Sequence, residues 1–104
     1  MINGKDVIIS GVHVDLTDSI KSVVNDKLNK LFAHSSSIIR VRVILEASKN
    51  KTEGKEFIAR GKVEIGGPDI KATASTDDLY KSIDDMINKL DRQLVDRTKA
   101  QNRT

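Results

Sequence analysis

The run IIRVRVILEASKNKTEGKEFIARGKVEIGGPDIKATAS, residues 38–75, decides the fold. Its apolar residues recur at every second position. Within Ile38–Ala47, Ile39, Val41, Val43 and Leu45 face one way, and Arg40, Arg42 and Glu46 face the other. In EFIARGKVEI, residues 56–65, Phe57, Ala59, Val63 and Ile65 alternate with Arg60, Lys62 and Glu64. IKATAS sets Ile70, Ala72 and Ala74 on one side. A period of two belongs to a strand buried on one face. The polar SKNKTEGK, with Lys49, Lys51 and Lys55, and the turn-forming GGPD separate the three runs. Strands joined so briefly read as antiparallel hairpins with one dry and one wet face.

Upstream, DVIISG (Asp6–Gly11) is a β-rich run closed by glycine and predicts a first strand. Thr17 then suits a helix N-cap, with Asp18 in the first turn where the helix dipole favours an acid. Ile20, Val23, Val24, Leu28, Leu31 and Phe32 follow at helical spacing, and Ser35–Ser37 end the helix. Downstream, Thr76 is expected to cap a second helix, whose Leu79, Ile83, Met86, Ile87, Leu90 and Leu94 form one stripe with Tyr80 at its edge. The order β-α-β-β-β-α implies an α+β two-layer sandwich, a four-stranded sheet with two helices packed on one face. One domain over residues 1–99 is expected, with 100–104 as a fraying tail.

Composition narrows the function classes. With 104 residues and only Phe32, Phe57 and Tyr80 as aromatics, the core must rest on Ile, Val and Leu. There is no cysteine, so neither a disulfide framework nor a thiolate metal site can form. MINGKDVIIS lacks a signal-peptide pattern and no stretch is long enough to span a bilayer, so a cytoplasmic location and no membrane partner are expected. His13 and His34 have no metal-ligand spacing. Asp84 and Asp85 point about 100° apart on a helix and cannot share a proton. GGPD lacks the P-loop lysine. Nothing marks Ser35–Ser37 as nucleophiles. No enzyme, cofactor, metal or small-molecule substrate is expected.

What remains is charge. The net charge of +3 is modest, so its distribution matters more than its sum. Opposite the core stripe of the last helix lie Lys81, Lys89, Arg92 and Lys99, with Asp85 and Asp96 among them. Asp77–Lys81, Lys81–Asp85, Asp85–Lys89 and Arg92–Asp96 are each four apart, as in a salt-bridge ladder that only solubilises a helix. The first helix adds Lys21, Lys27 and Lys30; Lys27 borders the apolar stripe, so its stem covers core while its ammonium reaches water. The wet sheet face adds Arg40, Arg42, Arg60, Lys62 and Lys71, a second basic surface diluted by Glu46, Glu56 and Glu64. Exposed aromatics of the kind that stack single-stranded bases are missing, so a nucleic-acid partner would be held by phosphate and shape.

The stretch ATASTDDLYKSIDDMINKLDRQL, residues 72–94, resembles the signature of the ribosome hibernation-promoting factor family, which includes protein Y. The similar features are the small-residue strand ATAS, then Asp78-Leu79-Tyr80, Ile83-Asp84, Asn88-Lys89-Leu90 and Arg92-Gln93-Leu94. IISGVHVDLTDSIKSVVNDKLNKL is similar to the family's opening strand and helix. The resemblance implies a β-α-β-β-β-α domain similar to double-stranded-RNA-binding modules. It implies docking on the small ribosomal subunit between head and body, where mRNA and tRNAs would lie. Basic residues of both helices would contact 16S rRNA phosphates, and occupancy would stop translation in stationary phase or stress. Lys21, Lys27 and Lys30 match basic positions of the first helix, and Lys89, Arg92 and Arg97 those of the second; Lys81 and Lys99 share the second helix's outer face. The resemblance is to the short form, so neither a long acidic-ended tail nor a second domain is expected; in related bacteria that form works with ribosome modulation factor to make inactive ribosome dimers. The free protein is expected to be a monomer. Two other readings stay open: a generic structured-RNA binder using the basic sheet face, and a protein-interaction adaptor.

Overall fold

The computed structural model describes residues 6–35, 38–50 and 54–102, with Asn50 and residues 98–102 described by backbone alone. The elements are β1 (Asp6–Val12), α1 (Asp18–His34), β2 (Arg40–Asn50), β3 (Gly54–Glu64), β4 (Ile70–Thr76) and α2 (Leu79–Asn102). One sheet has the order β1-β2-β3-β4. β1 lies parallel to β2, with α1 as the crossover, and β2-β3-β4 is an antiparallel meander. The expected four-stranded sheet with both helices on one face is therefore what forms.

Strand parity sorts the side chains. Val41, Val43, Leu45, Ala59, Val63, Ile70 and Ala74 are buried beneath the helices. They meet Ile20, Val24, Leu28 and Leu31 of α1 and Ile83, Met86, Ile87, Leu90 and Leu94 of α2 in one cluster. Each large aliphatic in this cluster contributes about 1.5–3 kcal/mol by leaving water. Helix α2 packs tightly on the sheet at Gly61. A Cβ there would stand 2.7 Å from Leu90 Cδ1 and would also collide with Met86 Sδ, so a larger residue would force these two side chains to shift.

The strand directions also orient the helices. β1 and β4 point the same way, and each feeds a helix that doubles back over the sheet. Helices α1 and α2 therefore run parallel, side by side, with their N-termini at one end of the sheet.

Two local expectations are corrected. Ile39 is not inward: it is 57% exposed, whereas Ile38 is 1% exposed. The chain leaving α1 drops Ile38 into the core before the pleat begins at Arg40, so the alternation starts one residue later than the sequence pattern suggests. Nor does Thr76 cap α2. It ends β4, and the cap is Asp78, whose carboxylate accepts from the backbone N–H of Tyr80 (2.9 Å) and Lys81 (3.4 Å). The Thr76 hydroxyl instead sits 2.7 Å from that of Ser82. Ser82 is fully buried and donates to the Phe57 carbonyl at 2.7 Å, tying the first turn of α2 to β3. Thr17 does cap α1, accepting from Ile20 N–H at 3.2 Å. Ser35 is the C-cap of α1, while Ser36 and Ser37 lie outside the described residues, as does Lys51.

Candidate nucleic-acid interface

The candidate cations fall into separate groups, because α2 has three exposed sides with different neighbours. Its first flank faces α1. Lys27 Nζ donates to Asp84 Oδ1 at 3.0 Å, and Lys30 Nζ to Asn88 Oδ1 at 2.9 Å. His34 Nδ1 lies 2.6 Å from Asp91 Oδ1. The partners rise together along both helices, as parallel packing requires. Lys27 and Lys30 are thus brought to the same surface as α2, but each already leans on an acceptor there.

The second flank faces the outer edge of the sheet. Lys89, Gln93 and Arg97, spaced by four, stand in one row. Lys89 Nζ donates to the Thr73 carbonyl (3.0 Å), Gln93 Nε2 to that of Lys71 (2.8 Å) and Arg97 Nη1 to that of Pro68 (2.5 Å). β4 is an edge strand, and alternate carbonyls of an edge strand have no strand to bond. Lys89 and Gln93 satisfy two of them, at Thr73 and Lys71, while Arg97 holds the Pro68 carbonyl just before the strand, and together the row covers this edge. Sequence reasoning named Lys89 and Arg97 but missed Gln93. The spacing of four is the signal that links the three; that β4 is an edge is not written locally.

Between these flanks runs the crest. Lys81 and Arg92 are exposed there, and among the described residues neither has an acid at salt-bridge distance. None of the four i, i+4 pairs of the expected ladder closes, so Asp85 and Asp96 dilute the local field without capping the cations. Lys21 is exposed on α1, but nine residues at about 100° each set it opposite Lys30, on the flank away from α2. The side chain of Lys99 lies outside those described.

The open sheet face is wired differently. Arg60 Nη1 meets Glu46 Oε1 at 2.7 Å, and Lys62 Nζ meets Asp69 Oδ2 at 3.3 Å. Arg40 lies between Asp6 (3.6 Å) and Glu64 (3.8 Å), and Arg42 Nε is 3.9 Å from Glu64. Among the described residues of this face only the Lys71 cation lacks such a partner. The five cations do point away from the helices, yet most of their field is spent within the sheet. Among the described residues, no group of three His, Asp or Glu side chains could hold a metal ion, and no helix is long and apolar enough to cross a membrane.

Comparison with known proteins fits this architecture. Residues 7–102 match the family model described as sigma 54 modulation protein / S30EA ribosomal protein. A ribosome hibernation promoting factor from Azotobacter vinelandii is 33% identical over 93 residues, which is 89% of this chain and 82% of that protein. The structure of a ribosomal subunit interface protein from Coxiella burnetii superposes with a TM-score of 0.79 at 26% identity, covering 91% of this chain and 98% of the other. The N-terminal domain of Thermus thermophilus protein Y shares the fold, with a TM-score of 0.75 at 22% identity over 88% of this chain and 97% of that one. With nearly its whole length matched, the chain belongs to the sigma 54 modulation protein / S30EA ribosomal protein family.

Proposed function

We propose that this protein is a ribosome hibernation factor that works by occupancy and not by catalysis. In this reading the folded domain binds the small ribosomal subunit in the mRNA and tRNA channel. It blocks translation in stationary phase or stress and keeps inactive ribosomes intact, in the cytoplasm and as a monomer when free. Its partner surface is 16S rRNA phosphate. Any link to ribosome modulation factor runs indirectly, through ribosome dimers.

The observation that carries this is the crest of α2, where Lys81 and Arg92 stand exposed and without acid partners in a chain of this family. Two cations on a helix, unpaired among the described residues, are ready for phosphate, since no described ion pair must break first. Lys27 and Lys30 flank them across the helix seam and can turn an ammonium proton outward while keeping their acceptors. Lys89 and Arg97 have further donors beyond those given to the Thr73 and Pro68 carbonyls. Lys21 and Lys99 complete the proposed set.

Co-sedimentation of the protein with small ribosomal subunits over a salt series tests the reading. Affinity should fall steeply with salt, by about 0.7–0.9 log units per log unit for each phosphate contact. Lys81→Glu combined with Arg92→Glu should weaken binding and leave the fold intact. Wild-type co-sedimentation of that double variant in moderate salt would sink the helix-face mechanism.

A further inference from the structure

A second cationic feature lies away from both helix faces. The β1–β2 ladder ends at Val12 opposite Glu46, and the β3–β4 ladder ends at Phe57 opposite Thr76. The β2–β3 hairpin continues past both, with Ser48 to Asn50 facing Gly54 to Glu56. It therefore leaves the sheet as a two-stranded ribbon, at the end where both helices begin. Where β2 outruns β1 a step forms, and His13, Glu46, Ala47, Ser48, Lys49 and Lys55 line the concavity it makes.

The charge on this ribbon is unusual for a structure built only for stability. Lys49 stands directly opposite Lys55 in the register. Like charges placed so, with Cβ atoms about 5 Å apart, repel and destabilise a hairpin. Neither ammonium has an acid at salt-bridge distance among the described residues. The nearby acids among the described residues, Glu46 and Glu56, are otherwise engaged. Glu46 holds Arg60 at 2.7 Å, and Glu56 accepts the Ser75 hydroxyl on the open face. By strand parity Lys49 and Lys55 share the other face. His13 closes the step from a left-handed backbone, φ 59°, a conformation that non-glycine residues adopt at a steric cost. Most sheet-face cations, by contrast, are neutralised by neighbours.

We propose that this ribbon is a second phosphate-binding site, in which Lys49 and Lys55 grip the RNA backbone and His13 walls the step beside them. The site rests on the reading that the protein binds ribosomal RNA, and it adds an anchor separate from the α2 crest. Two adjacent ammonium groups with no counterion among the described residues fit the oxygens of a phosphodiester, whose charge removes their mutual repulsion. Lys81, at the N-terminal end of α2, and the ribbon lie toward the same end of the sheet. Arg92 lies about 16 Å further along the helix at 1.5 Å per residue. The protein would thus hold RNA at two places, and the relative position of crest and ribbon would select its shape.

The experiment compares four proteins: wild type, Lys49→Ala with Lys55→Ala, Lys49→Arg with Lys55→Arg, and Lys81→Ala with Arg92→Ala. Binding is measured to purified small ribosomal subunits and to an RNA duplex across a salt series. The ribbon variant should bind about 5- to 20-fold more weakly near physiological salt, with a salt slope shallower by about 1.4–1.8, the value for two lost contacts. Its thermal midpoint should be unchanged or higher, because a like-charge pair has gone. Lys49→Arg with Lys55→Arg should restore binding. A ribbon variant with wild-type affinity and slope overturns the ribbon site, whatever the crest variant does. Loss in the ribbon variant with wild-type binding in the crest variant supports the ribbon and rejects the helix-face reading. A wild-type protein that binds neither probe overturns both.

Discussion

The crest of α2 and the open face of the sheet carry the same kind of side chain and use it in opposite ways. On the crest, bases and acids alternate at spacings that suit internal pairing, yet the pairs stay open. On the sheet, cations that read as a free basic surface are held by Glu46, Glu64, Asp6 and Asp69. Tertiary neighbours make the difference. A strand brings acids from adjacent strands to about 5 Å, whereas a helix crest has only its own turns and water. The same tertiary logic turns Lys89 toward the β4 backbone rather than toward Asp85. A count of basic residues therefore says little about where a polyanion binds; the fraction left without internal partners says more.

This contrast can be broken at several points. The largest effect is expected from Lys81→Glu with Arg92→Glu, which should lower affinity for small ribosomal subunits about 10- to 100-fold at low salt, since it would replace the two phosphate contacts proposed for the crest by repulsion. Sedimentation measures it, and circular dichroism checks the fold. Next, Gly61→Ala should destabilise the protein by about 1–3 kcal/mol in urea unfolding, because its methyl would meet Met86 and Leu90 and lift α2, and with it the crest, off the sheet.

A smaller loss should follow Lys89→Met, which keeps the stem and removes the donor to Thr73. Stability should fall by about 0.5–1.5 kcal/mol. Adding Gln93→Leu should raise the tendency to associate through the bared β4 edge, visible as concentration-dependent light scattering. The smallest effect belongs to Arg60→Gln on the open face, about 0–1 kcal/mol in stability with ribosome binding unchanged. If ribosome binding instead collapses in that variant, the assignment of the RNA surface to the helices is wrong, and the sheet-face reading returns.

The fold was largely legible because period-two and period-3.6 patterns report directly which face is dry. Val41, Val43 and Leu45, and Ile83, Ile87 and Leu90, needed no partner to be placed. Legibility failed at element ends. Ile38 and Ile39 are equally apolar, and only the exit of the chain from α1 decides which one enters the core. Thr76 and Asp78 are both good caps, and the choice fell to Asp78 because Thr76 is still paired in β4 with Phe57.

The proposed site was legible in its chemistry and not in its geometry. Helical spacing separated Lys81 and Arg92 from the core but gave no hint that Lys21 faces away from α2, or that Lys27 and Lys30 reach across to it. Sequence by itself determined the element order, the two dry faces, the excess of cations and the absence of thiol chemistry, all of which are local or additive properties of the chain. Only the tertiary structure decided which cations are silenced and which stay free. That choice depends on strand order, on the parallel run of the helices and on which strand is left at the edge. Each of these brings together residues far apart in the chain, and no periodicity records them.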